Sequence, residues 1–277
     1  VRDIIAKVAA DGEIEWAKQL GTTSVDQTNK LWLDEDKLFV AGTTNGRLYG
    51  GPRAAQSQIN IWVAQFDLDG TEVWGQQFRG PRDLALAGLL TDSDGNVYLH
   101  GHTDATMPDS QSYGGRDLFL VKFDPDGKTL WSKNIGRDRA DTASEFLISD
   151  DTLYLIGQTT SEWETPVADG DYGDLLIVAV DSEGEELWAR QYGSDQMEGV
   201  RDAKLDPTTG DIYIAGYTTG DLVSTPQGES DGFILALDPE GNWLWADAIA
   251  TPAADYATTI TQKEDGGLIL SGKTDAA

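Results

Sequence analysis

The chain of 277 residues carries 48 acidic against 20 basic side chains, a net charge of −28, together with 9 Trp, 31 Gly, 2 His and no Cys. That charge opposes binding to nucleic-acid phosphates or to an anionic membrane surface, and the missing thiols exclude disulfides, metal–thiolate centres and a Cys nucleophile. His100 and His102 leave almost nothing for a Ser-His-Asp triad or a multi-His metal site, and no apolar run approaches the roughly 18 residues of a spanning helix.

In chain order, the first strand pattern is Ile4 to Val8, followed by an acid, a glycine turn and a tryptophan, Asp11-Gly12-Glu13-Ile14-Glu15-Trp16. The same element returns at Asp69-Gly70 with Trp74, Asp126-Gly127 with Trp131, Glu183-Gly184 with Trp188 and Glu240-Gly241 with Trp245, at spacings of 58, 57, 57 and 57 residues. A period held that tightly marks an internal repeat. The third unit shows its parts plainly: Leu118 to Phe123, Thr129 to Ile135, Ala143 to Ile148 and Thr152 to Ile156, separated by the turn residues Asp124-Pro125-Asp126-Gly127 and Ser149-Asp150-Asp151. No window carries a sustained helical rhythm. The most continuous apolar strand type, such as Leu175 to Val178 and Phe233 to Ala236, suits a mid-blade position packed on both faces. Strands ending in Gly, such as Val97 to Gly101 and Ile212 to Gly216, suit its inner neighbour, and the Trp strand suits the outer edge. The chain closes in a Gly-ended strand, Leu268 to Ser271. The expectation is an all-β fold: one domain over residues 1–277, a five-bladed β-propeller of four-stranded antiparallel blades, with the last blade closed by pairing of the N- and C-terminal strands.

The run Gly115-Arg116-Asp117-Leu118-Phe119-Leu120-Val121-Lys122-Phe123-Asp124-Pro125-Asp126-Gly127-Lys128-Thr129-Leu130-Trp131 resembles the bacterial SBBP-type β-propeller repeat. Its usual continuation, an acidic Gly-rich turn and an aromatic strand ending in Gly, is also present at Asp92 to Gly101. The resemblance implies a propeller of surface and secreted bacterial proteins, often non-enzymatic and commonly seven-bladed, so that five units depart from it. The Gly-x-x-x-Trp element is similar as well to PQQ-dehydrogenase propellers, which have eight blades and cofactor ligands that this sequence does not match.

Three constellations could carry chemistry. An acid follows each Trp by nine or ten residues: Asp26, Asp83, Asp141, Glu198 and Asp255. Five carboxylates around one mouth could capture a hard cation, with Ca²⁺ favoured, or each could bond backbone N–H groups of its own turn. The long loops after the Gly-ended strands (Thr44 to Ile59, Thr103 to Arg116, Thr160 to Gly173, Thr219 to Ser230) carry Tyr49, Tyr113, Trp163 and Tyr172 beside acids. Such aromatics can stack on sugars or fold into the loop's own small core. One slot near the strand ends differs in every unit, holding Thr43, His102, Gln158, Tyr217 and Lys273, and could read a ligand. By contrast, Thr44, Thr103, Thr159, Thr218 and Thr274 recur two residues after the strand-ending Gly, and Asn60, Asp117, Asp174 and Asp231 precede the apolar strand; both sets read as backbone clamps.

The functional expectation is a non-catalytic extracellular or surface-exposed bacterial binding or scaffold domain, meeting a protein or glycan on its long-loop face. The acidity also suits a saline or calcium-rich exterior. The alternatives are a lectin-like glycan binder and a glycosidase with paired carboxylates in a central funnel.

Overall fold

In the computed structural model, residues 3–50, 59–78, 84–108, 110–163 and 173–275 are described. Strands β1 (Asp3–Val8) and β2 (Ile14–Leu20) pair as a two-stranded sheet. The next sheet comprises β3 (Asp26–Asp34), β4 (Lys37–Thr44), β5 (Asn60–Asp67) and β6 (Glu72–Phe78), and the third comprises β7 (Leu84–Thr91), β8 (Val97–Thr103), β9 (Asp117–Phe123) and β10 (Thr129–Ile135). Then come β11 (Asp141–Ser149), β12 (Thr152–Thr159), β13 (Asp174–Val180) and β14 (Glu186–Tyr192), followed by β15 (Glu198–Leu205), β16 (Ile212–Thr218), β17 (Asp231–Leu237) and β18 (Trp243–Ile249). The final pair is β19 (Asp255–Gln262) with β20 (Leu268–Thr274). Every pairing is antiparallel, with strands hydrogen-bonded in sequence order. Among the described residues no helix is long and apolar enough to cross a membrane.

Each four-stranded sheet has the expected order, from the acid-led strand through the Gly-ended strand and the apolar strand to the Trp strand at the edge. Strands β9, β13 and β17 are buried along their whole length, because each lies between two strands and both of its faces meet packed neighbours. The expected fifth four-stranded blade is not formed. β1 pairs with β2 and β20 with β19, so the ends stand as two separate two-stranded sheets. Elsewhere a loop tethers each Gly-ended strand to the next apolar strand and lowers the entropy cost of pairing them; β20 and β1 have no such tether.

The chain divides into two compact units: residues 1–112 with 116–135, and residues 113–115 with 136–277. In the first, Phe39, Val63, Leu99, Phe119 and Phe123 form a buried cluster against Trp74. In the second, Ile156, Ile177, Ile214, Phe233 and Leu235 do the same against Trp188.

Two glycine positions set the frame. Opposite each Gly-ended strand the register shifts at the same place, as between Thr28 and Lys30 and between Val200 and Asp202. This bulge brings a carbonyl so close that a Cβ on Gly42 or Gly157 would lie 1.9 Å from the oxygen of Gln27 or Thr142. The turn glycines Gly70, Gly127 and Gly241 have φ of +83°, +81° and +79° and lie directly against Trp16, Trp74 and Trp188 of the preceding repeat. The indoles of Trp16 and Trp74 also donate to the Leu68 and Pro125 carbonyls of those turns, at 2.9 and 3.0 Å. The repeating Asp-Gly and Trp are therefore two halves of one contact between successive repeats.

Candidate functional site

The recurring acids come first, because they hold the loops around everything else. Asp26, Asp141, Glu198 and Asp255 lead β3, β11, β15 and β19 and are buried. Register places each directly opposite the recurring Thr of the neighbouring strand: Thr44, Thr159, Thr218 and Thr274. The Thr44 and Thr159 hydroxyls donate to Asp26 and Asp141, Thr218 donates to Glu198 at 2.8 Å, and a Thr274 hydrogen bond lowers the pKa of Asp255. Each acid also accepts a backbone N–H from four residues earlier: from Thr22, Arg137, Ser194 and Thr251. Two sequence features read separately, the acid and the Thr, form one clamp that closes the loop into its strand. Among the described residues no three acids or histidines converge as a metal site, and Asp83 lies outside those residues.

Burial raises the pKa of Glu198, with the nearby Asp174 charge adding to it, and raises that of Asp174 itself. A buried carboxylate loses hydration, so the neutral form gains. His100, hydrogen-bonded through Nδ1 to the Phe119 carbonyl at 3.0 Å, is pushed down to about 3 by burial and stays neutral.

The loop aromatics divide. Tyr49 folds back onto its sheet: its ring centroid lies 6.2 Å from that of Trp62, and its hydroxyl donates to Glu72 at 3.3 Å. Burial pushes its phenol pKa well up. Trp163 is covered by Arg137, whose guanidinium carbon lies 4.0 Å from the ring centroid, and its indole donates to Asp141 at 3.0 Å. Arg137 is held in turn by both oxygens of Glu186 at 3.1 Å. These two aromatics serve the loops' own packing. Tyr113 is exposed, and Tyr172 lies outside the described residues. His102 is half-buried on β8, opposite Ala85 and Leu118.

Tyr217 belongs to a cleft of about 560 Å³ inside the second unit, lined also by Arg201, Glu229, Tyr256, Thr258 and Lys273. The residue after each acid faces the variable slot across the strand pair, so Tyr256 stands opposite Lys273 and Gly199 opposite Tyr217. Tyr217 and Tyr256 meet edge to face, with centroids 5.0 Å apart and planes at 61°. Arg201 lies 4.9 Å from the Tyr217 centroid and Lys273 5.9 Å from that of Tyr256, both within cation–π range. Lys273 also pairs with exposed Asp275 at 2.8 Å. The clamps at Glu198–Thr218 and Asp255–Thr274 fix the backbone beside these side chains. Loop ties add to them: Met197 N–H donates to Thr219 Oγ1 at 3.0 Å, and Asp255 N–H to the Ser230 carbonyl at 2.8 Å. The sequence reading found Tyr217 and Lys273 through the variable slot and missed Arg201 and Tyr256. Cross-strand register, which strict repeat alignment hints at, was the signal for Tyr256. Arg201 left none.

Of the known families, the one described as outer membrane protein assembly factor BamB, built of PQQ-type repeats, matches residues 60–272. No curated protein sequence matches the chain. Among solved structures, the lignostilbene dioxygenase of Pseudomonas brassicacearum is similar at 14% identity and a TM-score of 0.49, over 90% of this chain and 57% of that one. A variant of the Synechocystis apocarotenoid oxygenase is similar at 13% identity and a TM-score of 0.45, over 90% and 58%. This chain thus spans less than two thirds of their length. Of the two repeat resemblances in the sequence, the match falls on the PQQ type.

Proposed function

The chain belongs to the PQQ-type repeat family described as outer membrane protein assembly factor BamB, and from that premise we propose that it is a non-catalytic binding domain whose partner is another protein. The observation that carries this reading is the Tyr217–Tyr256 cleft, where variable side chains stand on an invariant frame. A propeller-repeat scaffold places recognition where its repeats differ. The described recurring carboxylates are spent on Thr hydroxyls and turn amides, which supports a structural rather than a catalytic or calcium-binding role for them. A surface or secreted bacterial setting fits the charge of −28, which screening in a saline exterior makes tolerable.

The test is a peptide array and a glycan array probed with the wild-type chain and with Tyr217→Ala. Selective peptide binding that the variant loses supports the proposal. Selective glycan binding lost by the same variant transfers the cleft to the lectin-like alternative. Turnover of a chromogenic glycoside by the wild-type chain refutes the non-catalytic reading.

A further inference from the structure

The cleft gathers two cations, Arg201 and Lys273, on a strongly negative chain, with Glu229 also in its lining. Arg201 is exposed and makes no ion pair among the described residues; its one contact of note is the Tyr217 ring. Lys273, 5.9 Å from the Tyr256 ring centroid, is shared with Asp275, both half-exposed or more. A pair that exposed adds little and exchanges readily with a better partner. The cleft therefore offers one guanidinium without an ion pair among the described residues and one weakly committed ammonium, about a group of tyrosine hydroxyls and the Thr219 and Thr258 side chains.

The aromatic geometry narrows the ligand. An edge-to-face pair uses a face of one ring to receive the edge of the other, and each tyrosine also carries a cation. Little flat ring is left for the CH groups of a sugar, whereas positive charge and hydroxyl donors are left. Resting on the reading of the cleft as a protein-binding site, we propose that it recognises a single peptide carboxylate, gripped by Arg201 and supported by Lys273. The guanidinium fork matches a carboxylate with two parallel N–H donors. One carboxylate is favoured over a run of them because Glu229 stands in the cleft lining and the whole chain's charge repels further anions. The flanking ligand residues are uncharged, and apolar ones pack on the tyrosine edges. A C-terminal carboxylate and a Glu or Asp side chain present the same group.

The experiment uses hexapeptides selected by the wild-type chain on an array at 0.15 M salt, measured again as three matched sets: free C-terminus, C-terminal amide, and internal acid replaced by its amide. Wild type, Arg201→Ala, Arg201→Lys and Tyr217→Ala are compared, with circular dichroism to show that each folds. Neutralising the critical carboxylate, or Arg201→Ala, is expected to weaken binding about ten- to hundredfold, the range of a charge-assisted hydrogen bond; Arg201→Lys retains part of the affinity. Loss on amidation identifies a C-terminal ligand, and loss in the third set a side-chain ligand. Peptides that need Tyr217 but change less than twofold with Arg201→Ala and with every neutralisation overturn the carboxylate and leave the protein-binding reading standing. Absence of any selected peptide, or Arg201-dependent capture of oligogalacturonate in their place, overturns both.

Discussion

Replacing Gly127 by alanine tests whether the glycine turn and the tryptophan are one device. Gly127 has φ of +81°, and a Cβ there would lie 2.5 Å from two carbons of the Trp74 ring, more than 1 Å inside ordinary contact distance. The ring cannot easily retreat. Its indole donates to Gln65 at 2.7 Å and to the Pro125 carbonyl at 3.0 Å, and it packs 6.2 Å from Phe39 in the core of the first unit. The left-handed backbone costs an alanine about 1–2 kcal/mol, and overpacking adds about 1–3 kcal/mol, so Gly127→Ala should destabilise by about 2–5 kcal/mol. Gly12 supplies the control within the same unit: its φ is +90°, yet nothing lies within 4 Å of its would-be Cβ. Gly12→Ala should therefore show the backbone cost alone, about 1–2 kcal/mol.

Urea unfolding followed by circular dichroism reads the steric difference of about 1–3 kcal/mol as a shift in midpoint of about 0.5–1.5 M, at a slope of about 2 kcal/mol/M. A second arm places Gly127→Ala on a Trp74→Ala background, where the steric part vanishes and the coupling between the two sites appears as non-additivity. Equal costs for the two glycine substitutions would refute the docking contact. So would a Gly127→Ala cost that is unchanged when Trp74 is absent.

The loop clamp, the buried titratable groups and the recurring acids each give a further test. Asp141→Ala removes the acceptor of the Arg137 N–H, the Thr159 hydroxyl and the Trp163 indole; about 1–3 kcal/mol for the buried Thr159 donor and about 1 kcal/mol for each of the two part-buried ones predict a loss of about 3–5 kcal/mol in chemical unfolding, and a change below 1 kcal/mol would show that the clamp is ornamental. His100 has a folded pKa of about 3 against 6.5 unfolded; the unfolded chain binds the proton first, so its stabilisation is present above pH 6.5 and lost as pH falls towards 3. Between pH 6.5 and 5 that amounts to about 2 kcal/mol, seen as a slope that His100→Gln flattens, while the His100 ring resonances of the wild type do not titrate between pH 5 and 8. Glu198 runs the other way, since its folded pKa is raised: its contribution is full below its unfolded pKa and is lost as pH rises through the folded one, so Glu198→Gln should gain on the wild type as pH rises towards 7. Finally, millimolar calcium at matched ionic strength should move the melting midpoint by less than about 2 °C; a saturable, calcium-specific rise above that, removed by chelator, would restore the recurring acids as metal ligands.

The strand order within each sheet was legible because two different pressures write it into the sequence. Burial on both faces forces continuous apolar runs such as Leu175 to Val178, while one-sided packing leaves the alternation seen around Trp131. Closure of a fifth blade was not legible in the same way. β1 and β20 carry the right local patterns, Ile4 to Val8 and Leu268 to Ser271, but a local pattern specifies a strand and not its neighbour. Inside the repeats the connecting loop supplies that missing information; at the two ends nothing does.

The site shows the same division between what recurs and what does not. Asp141 and Thr159 recur in kind because every repeat must close the same loop, and recurrence is what a single sequence displays best. Their function as a pair stayed hidden, since eighteen residues separate them along the chain and only the antiparallel register makes them adjacent. The loop aromatics were ambiguous for the opposite reason. Tyr49 and Trp163 look like exposed ligand platforms, but a loop of that length needs a core of its own, and Glu72, Arg137 and Asp141 give those rings partners that lie far off in sequence. Tyr217 was visible because its slot varies while Thr218 beside it does not. Once such a slot is seen, the residue facing it across the strands belongs to the same surface, and that rule brings in Tyr256. It does not bring in Arg201, whose place over Tyr217 depends on a side-chain path that no spacing encodes, and that is why the cation over that ring had to come from the structure.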